Sequence, residues 1–410
     1  VVEASVTRTA EHVKLTVHLV QARQDRLLWN HDTEGDMTDI EALQAEVVQA
    51  IANEIRVQLT PQESERLKTT RPVDPEVYDL TVNGKAKLEY ATRQEQIRQA
   101  IALFQQAVDR DRTYAPAWAG LGESLWRLAS ANFEFVTPAE VRGTAIAAAE
   151  KALQLDENLP EAHKARAMIA WDGEWDLVKA DQHFQRAIKL RPGYAAAETF
   201  YGQVLTYFRH FDDARPHLDR ARELDPLSPW NDLNEFAWLL TQGKAEGVIQ
   251  KAPAALQRNP TVWYIPLLKG MARLYLEQPD EAVKDLEVAL KLASPDRPLH
   301  VVGQLGYAYA LAGRQADAQK ILTEMEQAEA AREYVCPYCT AIMNAALGRM
   351  DDAYLLLDQS LEDRTPIMAF YFNRYDFYAP LFRHDPRYKS FIGRLRALVT
   401  LPPGTPNPYQ

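Results

Sequence analysis

The chain has 410 residues, 47% hydrophobic and 25% charged, which is ordinary globular composition with enough apolar material for an extended core. Its formal net charge of −11, from 57 acidic and 46 basic residues, lacks the basic footprint of direct nucleic-acid binding. No apolar run is long enough for a membrane span and no secretory signal opens the chain, which starts at Val1 rather than a methionine. That start suggests a segment of a longer protein and leaves the compartment, cytoplasmic or periplasmic, open.

Residues 1–60 read as a partial α/β unit. Val2, Ala4 and Val6 alternate with polar neighbours, as do Val13, Leu15, Val17 and Leu19, the two-residue period of half-buried strands. Thr9 to His12 is the expected hairpin turn and Leu27 to His31 a third strand. Thr38-Asp39-Ile40-Glu41 has the form of a capping box, and Ile40, Leu43, Val47, Ile51 and Ile55 then share one helical face. Three strands and one helix make a small open sheet with two edges, which predicts that a first half lies upstream. Residues 61–74, polar and with two prolines, read as a connector.

From 75 to 362 one pattern recurs. Leu305 to Leu322 shows it best: two short helices broken by Ala312-Gly313-Arg314, with Leu305, Gly306 and Tyr309 on the first and Ala318, Ile321 and Leu322 on the second. Gly306 and Ala318 are small enough for close helix approach, and Gly313 suits a left-handed turn. The small residue opening each second helix falls at Ala100, Ala145, Ala180, Ala214, Val248, Ala282, Ala318 and Ala353, in steps of 45, 35, 34, 34, 34, 36 and 35 residues. Trp118-x2-Leu121-Gly122, Ala100-x3-Phe104 and Ala180-x3-Phe184 keep step, and Pro192, Pro226 and Pro260 close three units. This resembles the tetratricopeptide repeat (TPR), a helix pair of 34 residues. The resemblance implies a mostly α fold: a right-handed TPR-type α-solenoid of about eight helix pairs behind a small N-terminal α/β segment.

Several units depart from the pattern. The first has Arg112 in place of the closing proline, and the second carries an insertion, roughly Ala131 to Thr144, whose Phe133, Phe135 and Val136 predict that it packs back on the array. The third has an extra residue at Trp171-Asp-Gly-Glu-Trp175-Asp. In the fifth, Val248 and Ala252 replace the usual residues and Pro253 predicts a distorted second helix. Residues 363–399, with Phe370, Tyr371, Phe372, Tyr375, Phe377 and Tyr378 and a last helix from Asp385-Pro386, read as a cap, and 400–410 as a disordered proline-rich tail.

The stretch VVEASVTRTAEHVKLTVHLVQARQDRLLWNHDTEGDMTDIEALQAEVVQAIANEI is similar to the second half of a TolB amino-terminal-like α/β domain, and RHDPRYKSFIGRL to the ending of the same bacterial regulators. In such proteins the module precedes TPR arrays, behind a winged-helix, Ser/Thr kinase or adenylate cyclase front end. No motif of those front ends occurs in this chain.

The chemistry-bearing motifs are few. No nucleophile elbow, Walker motif, kinase signature or H-E-x-x-H occurs, so no catalytic residue, metal or cofactor is expected. Gly120-x-Gly122 reads as helix packing, and His210, Asp212, Asp213 and His217 as a solvated turn. Cys336-Pro-Tyr-Cys339 matches the glutaredoxin motif, but without its βαβ context. Coincidence, a local disulfide, a thiol sensor and a redox pair all remain readings of it. Two cysteines without a histidine close in sequence do not complete a zinc site.

The resemblance implies a concave groove for a protein or peptide, lined by Trp126, Trp171, Tyr207, Tyr275, Tyr307 and Tyr338. Most of these should then be partly exposed, and the tail or the connector could fill the groove when no partner is bound. The lysines and asparagines of carboxylate-clamp TPR proteins are not evident. The expected function is a non-catalytic scaffold or sensor region of a bacterial signalling or transcription regulator. Self-association and thiol-disulfide exchange are the alternatives.

Overall fold

The computed structural model describes residues 2–9, 11–21, 26–56, 58, 64, 67–68, 71–331, 333–367 and 379–401. The aromatic residues expected at 370–378, most of the connector and tail residues 402–410 lie outside them. The N-terminal unit has strands β1 (Val2–Arg8), β2 (His12–Gln21) and β3 (Arg26–Asp36) in one antiparallel sheet of order β1-β2-β3. Val13, Leu15 and Val17 face inward, and a register shift between Leu19 and Val20 turns Val20 inward in place of Leu19. Helix α1 (Ile40–Glu54) lies on this face, with Leu43 against Gly35 of β3. The expected capping box does not form. A single 3-10 turn at Met37–Asp39 leads into α1, and Asp39 caps it without a side-chain bond.

Eight antiparallel helix pairs follow. They are α2 (Pro75–Glu89) with α3 (Gln94–Arg110), α4 (Ala115–Ala129) with α5 (Pro138–Leu155), and α6 (Pro160–Met168) with α7 (Leu177–Leu190). Then come α8 (Ala195–Tyr207) with α9 (Phe211–Leu224), and α10 (Trp230–Thr241) with α11 (Ala245–Arg258). The last three are α12 (Tyr264–Tyr275) with α13 (Pro279–Ala293), α14 (Leu299–Leu311) with α15 (Gln315–Ala330), and α16 (Pro337–Ala346) with α17 (Met350–Glu362). Prolines at the first turns of α2, α4, α5, α6, α13 and α16 occupy positions whose N–H has no helical partner. Among the described residues no helix is long and apolar enough to cross a membrane.

The eight recurring residues from Ala100 to Ala353, Val248 included, are each 0% exposed. A second feature keeps the same clock. The turn between the helices of a pair contains a left-handed residue at Trp175, Arg209, Gly243, Glu277, Gly313 and Gly348, in steps of 34, 34, 34, 36 and 35. Only three of the six are glycines. Gly306 plays a different part from the one expected: a Cβ there would meet the Met343 side chain at 2.6 Å, so the glycine admits α16 of the next pair.

The irregular units resolve in three ways. Only residues 130–137 of the second-pair insertion are a loop; α5 begins at Pro138 and absorbs the rest. The extra residue of the third pair is taken up by a π turn over Ile169–Glu174, which ends on left-handed Trp175. Pro253 does not break α11, contrary to the expected distortion. It sits on the exposed face, where water can solvate the carbonyl that loses its N–H partner. Beyond the array, α18 (Ala379–Phe382) and α19 (Tyr388–Leu398) lie against α17, with the Phe382 and Phe391 rings edge-on to Tyr354.

The α/β unit is tied to the first two pairs. Arg8 pairs with Asp79 at 2.5 Å, Gln44 donates to the Tyr78 hydroxyl at 2.6 Å, and Tyr114 donates to Glu41 at 2.9 Å.

Left-handed backbone is strained for residues with a Cβ, so Glu277→Gly should raise unfolding free energy by about 0.5–1 kcal/mol. Gly313→Ala should lower it by about 1 kcal/mol, because its φ is +73° although no atom lies near enough to clash. Urea denaturation of the two variants checks both signs.

Candidate functional site

An open solenoid leaves one side of its first helices in solvent. Here twelve of the fifteen residues of α4 and nine of the ten of α16 are buried, against five of seventeen in the second helix α3. Two segments of the chain itself cover the inner face. The α2–α3 turn crosses it: Tyr90 donates to Asp225 at 2.9 Å, and Trp230 and Trp263 donate to the Glu89 and Thr92 carbonyls at 3.3 and 3.2 Å. Arg93 then donates to the Ser294 and Leu292 carbonyls at 2.8 and 3.1 Å. The 130–137 loop is the second filler. Phe133 lies edge-on to Trp230 at 6.1 Å, and Glu134 is 1% exposed. The insertion therefore occupies the interior in the place expected for tail or connector.

Further ties join distant pairs. Arg142 of α5 donates to the Asp363 carbonyl at 2.8 Å, and Arg364 to the Glu174 carbonyl at 2.7 Å. Thr400 exchanges backbone bonds of 2.9 Å with Trp175 and Leu177.

This closure overturns the expected exposure of the aromatic strip. Trp126 is 0% exposed and donates its indole N–H to Asp172 at 2.5 Å. Burial pushes the Asp172 carboxyl up to about 7 despite that bond and one from the Ala131 amide. Trp171 and Tyr207 pack ring against ring at 5.5 Å, and Tyr307 and Tyr338 are also buried. Tyr275 alone of the six is exposed, at 38%. The six do not form one accessible surface, because five of them point into an interior that the chain itself fills.

A cavity of about 210 Å³ opens between the α2 end and helices α4, α6, α8 and α10. Its inner wall holds a buried charge network. Glu123 accepts from Lys164 at 2.7 Å and from Arg127 at 3.2 Å. Burial raises the Glu123 carboxyl, but Lys164 and Arg127 outweigh it and hold the group below the ordinary carboxylate range. Nearer the mouth, Glu161 accepts from Arg191 at 2.9 Å and Lys85 at 3.3 Å. Aromatic faces surround these cations: Arg191 lies 4.7 Å from the Tyr194 ring centre, Lys164 5.9 Å and Arg127 5.7 Å from that of Phe200.

Repeat length, helix pairing and the two 34-residue registers now stand together. The array is a tetratricopeptide-repeat solenoid. No protein-family model matches the chain. Over 173 residues it is 29% identical to the Rhizobium meliloti (strain 1021) protein named "Putative adenylate cyclase 3"; the match covers 42% of this chain and 29% of that protein. The chain thus spans less than a third of the relative's length. Among solved structures, human IFIT1 in a dimer with m7Gppp-AAAA superposes with a TM-score of 0.52 and 12% identity, over 78% of this chain and 76% of that one. Yeast Tom70 superposes at 0.45 with 18% identity, over 78% and 67%. At these identities the first likeness shows the fold alone.

The TPR pattern drew attention to the aromatics and away from the charges. Glu123 and Arg127 stand in sequence as charged residues on an otherwise apolar first helix, LGESLWR, whereas Lys164 is one of several polar residues in EAHKARAM. Their convergence needed the superhelix. Cys336 and Cys339 are joined in a local disulfide and are 0% and 5% exposed. His210 and Asp213 form a surface pair at 3.4 Å.

Tyr307, at 3% exposure, and Tyr275, at 38%, separate core from surface. Tyr307→Ala should cost about 3–5 kcal/mol of stability by opening a cavity, and Tyr275→Ala under about 1 kcal/mol. Denaturant titration of the single variants measures the contrast.

Proposed function

We propose that this chain is a non-catalytic protein- or peptide-binding region of a bacterial signalling regulator, whose ligand enters the cavity at α2, α6 and α8. The observation that carries this reading is the mouth itself. Lys85 and Arg191 share one carboxylate, Glu161, beside the rings of Tyr90 and Tyr194. An aspartate or glutamate of an incoming segment can bond to these cations while its neighbours pack on the tyrosines. The named cyclase relative supports a regulator in which such a region would sit beside an enzymatic domain. IFIT1 was solved with a capped oligonucleotide, but the −11 charge of this chain favours a protein ligand here. Thiol-disulfide exchange with a protein substrate is disfavoured, since both cysteines are buried out of reach of another folded chain, whereas a small reductant needs only a local opening.

The test is selection of peptides on the purified chain from a display library, followed by Kd measurement. Selected peptides should be rich in acidic residues, and Lys85→Ala with Arg191→Ala should weaken them at least about tenfold with little change in Tm. Peptides that bind the double variant as tightly as the wild type would overturn the assignment of the mouth.

A further inference from the structure

The chain brings a third donor to the cysteine pair. Glu134, on the loop that fills the interior, places Oε2 3.8 Å from Cys339 Sγ, and one ligand atom each from Glu134, Cys336 and Cys339 fit within 4.8 Å of one another. All three residues are buried. His300 Nδ1, on α14, lies 3.8 Å from the same Oε2. Glu134 Oε1 is buried without a hydrogen-bond partner, and among the described residues no lysine or arginine pairs with this carboxylate. Such an orphan carboxyl is costly to bury and calls for a partner of opposite charge.

We propose that the reduced chain binds one thiophilic divalent metal ion, Zn²⁺ in the first instance, between Cys336, Cys339 and Glu134, with His300 beside the open fourth position. Two thiolates and a carboxylate form a donor set that zinc accepts, and thiolates select it over hard cations such as Mg²⁺. The cysteines are prepared for this. Cys336 caps α16 and its Sγ accepts the Cys339 amide at 3.2 Å, so a helix N-terminus favours the thiolate. Gly303 of α14 makes room, since a Cβ there would meet Cys339 Cβ at 2.7 Å.

The disulfide and the metal site are alternatives. A dithiol supplies two electrons and two protons to the S–S bond and is itself oxidised to a disulfide; a phosphine supplies the two electrons while water gives the two protons and the oxygen of the phosphine oxide, and either route gives two thiols. Metal binding then releases both thiol protons to solvent as two sulfur–metal bonds form. The ion would tie the 130–137 loop to α14 and α16, so the sulfur redox state would decide how firmly the interior filler is held.

The experiment uses the tag-free full chain, oxidised or reduced with a phosphine, with thiols counted after denaturation. Each form is incubated with Zn²⁺ or Co²⁺, gel-filtered and assayed for metal. One zinc per reduced chain is expected and none per oxidised chain, with a near-ultraviolet thiolate-to-cobalt band for Co²⁺. Cys336→Ser/Cys339→Ser should abolish retention, and Glu134→Gln should weaken affinity at least about tenfold. A reduced wild-type chain that retains no zinc, or retains as much as the oxidised chain, would sink the proposal without recourse to variants. Unchanged retention by a folded double-serine variant, checked by circular dichroism, would do the same.

Discussion

Helix approach in this protein is limited by the size of one side chain per contact. A Cβ on Gly122 would come within 2.9 Å of the Ala149 nitrogen and 3.0 Å of the Ala145 oxygen, so α4 and α5 touch backbone to backbone. The wholly buried Ala145, Ala180, Ala214, Ala282, Ala318 and Ala353 keep the same limit from pair to pair. Small contact residues let neighbouring helices nest closely, and repetition of that geometry sets the curvature of a solenoid. Curvature in turn brings the α2–α3 turn to the end of α13 and the Arg364 region to the π turn.

Closure changes what the inner face can be. An aromatic surface facing a wide groove would offer apolar area to any extended peptide. A filled interior instead leaves a small mouth whose chemistry is set by charge. Lys164 and Glu123 are tolerable in that wall because each meets its opposite at hydrogen-bond distance, with aromatic faces around the cations. The same enclosure is what makes Glu134 conspicuous, since it is buried as deeply with no lysine or arginine beside it among the described residues.

The sequence made the repeat legible because the contact residues are local and periodic. Alternation also located β1 and β2, and the hydrophobic stripe from Ile40 to Ile51 located α1. The candidate site was less legible for a physical reason. Trp126, Trp171 and Tyr338 lie where a groove strip should lie, but their exposure depends on segments contributed from elsewhere in the chain. Glu134 meets Cys339 across 205 residues and Lys85 meets Glu161 across 76. No spacing rule reaches that far. Pro253 misled in the opposite sense, because its cost depends on which side of the helix it faces.

A linear repeat array contacts only its nearest neighbours, so it can fray from either end and its folding can nucleate anywhere. The Arg93 bonds to Ser294 and the Arg142 bond to Asp363 join residues 201 and 221 positions apart, which turns the array into a ring of contacts. Terminal pairs in a ring have no free end to unzip. Their loss exposes the interior filler and the opposite pairs together, so unfolding gains cooperativity across the whole array. The entropic toll falls on folding, where long loops must close before these bonds form, and the chain should reach its native state more slowly than an open solenoid of equal length.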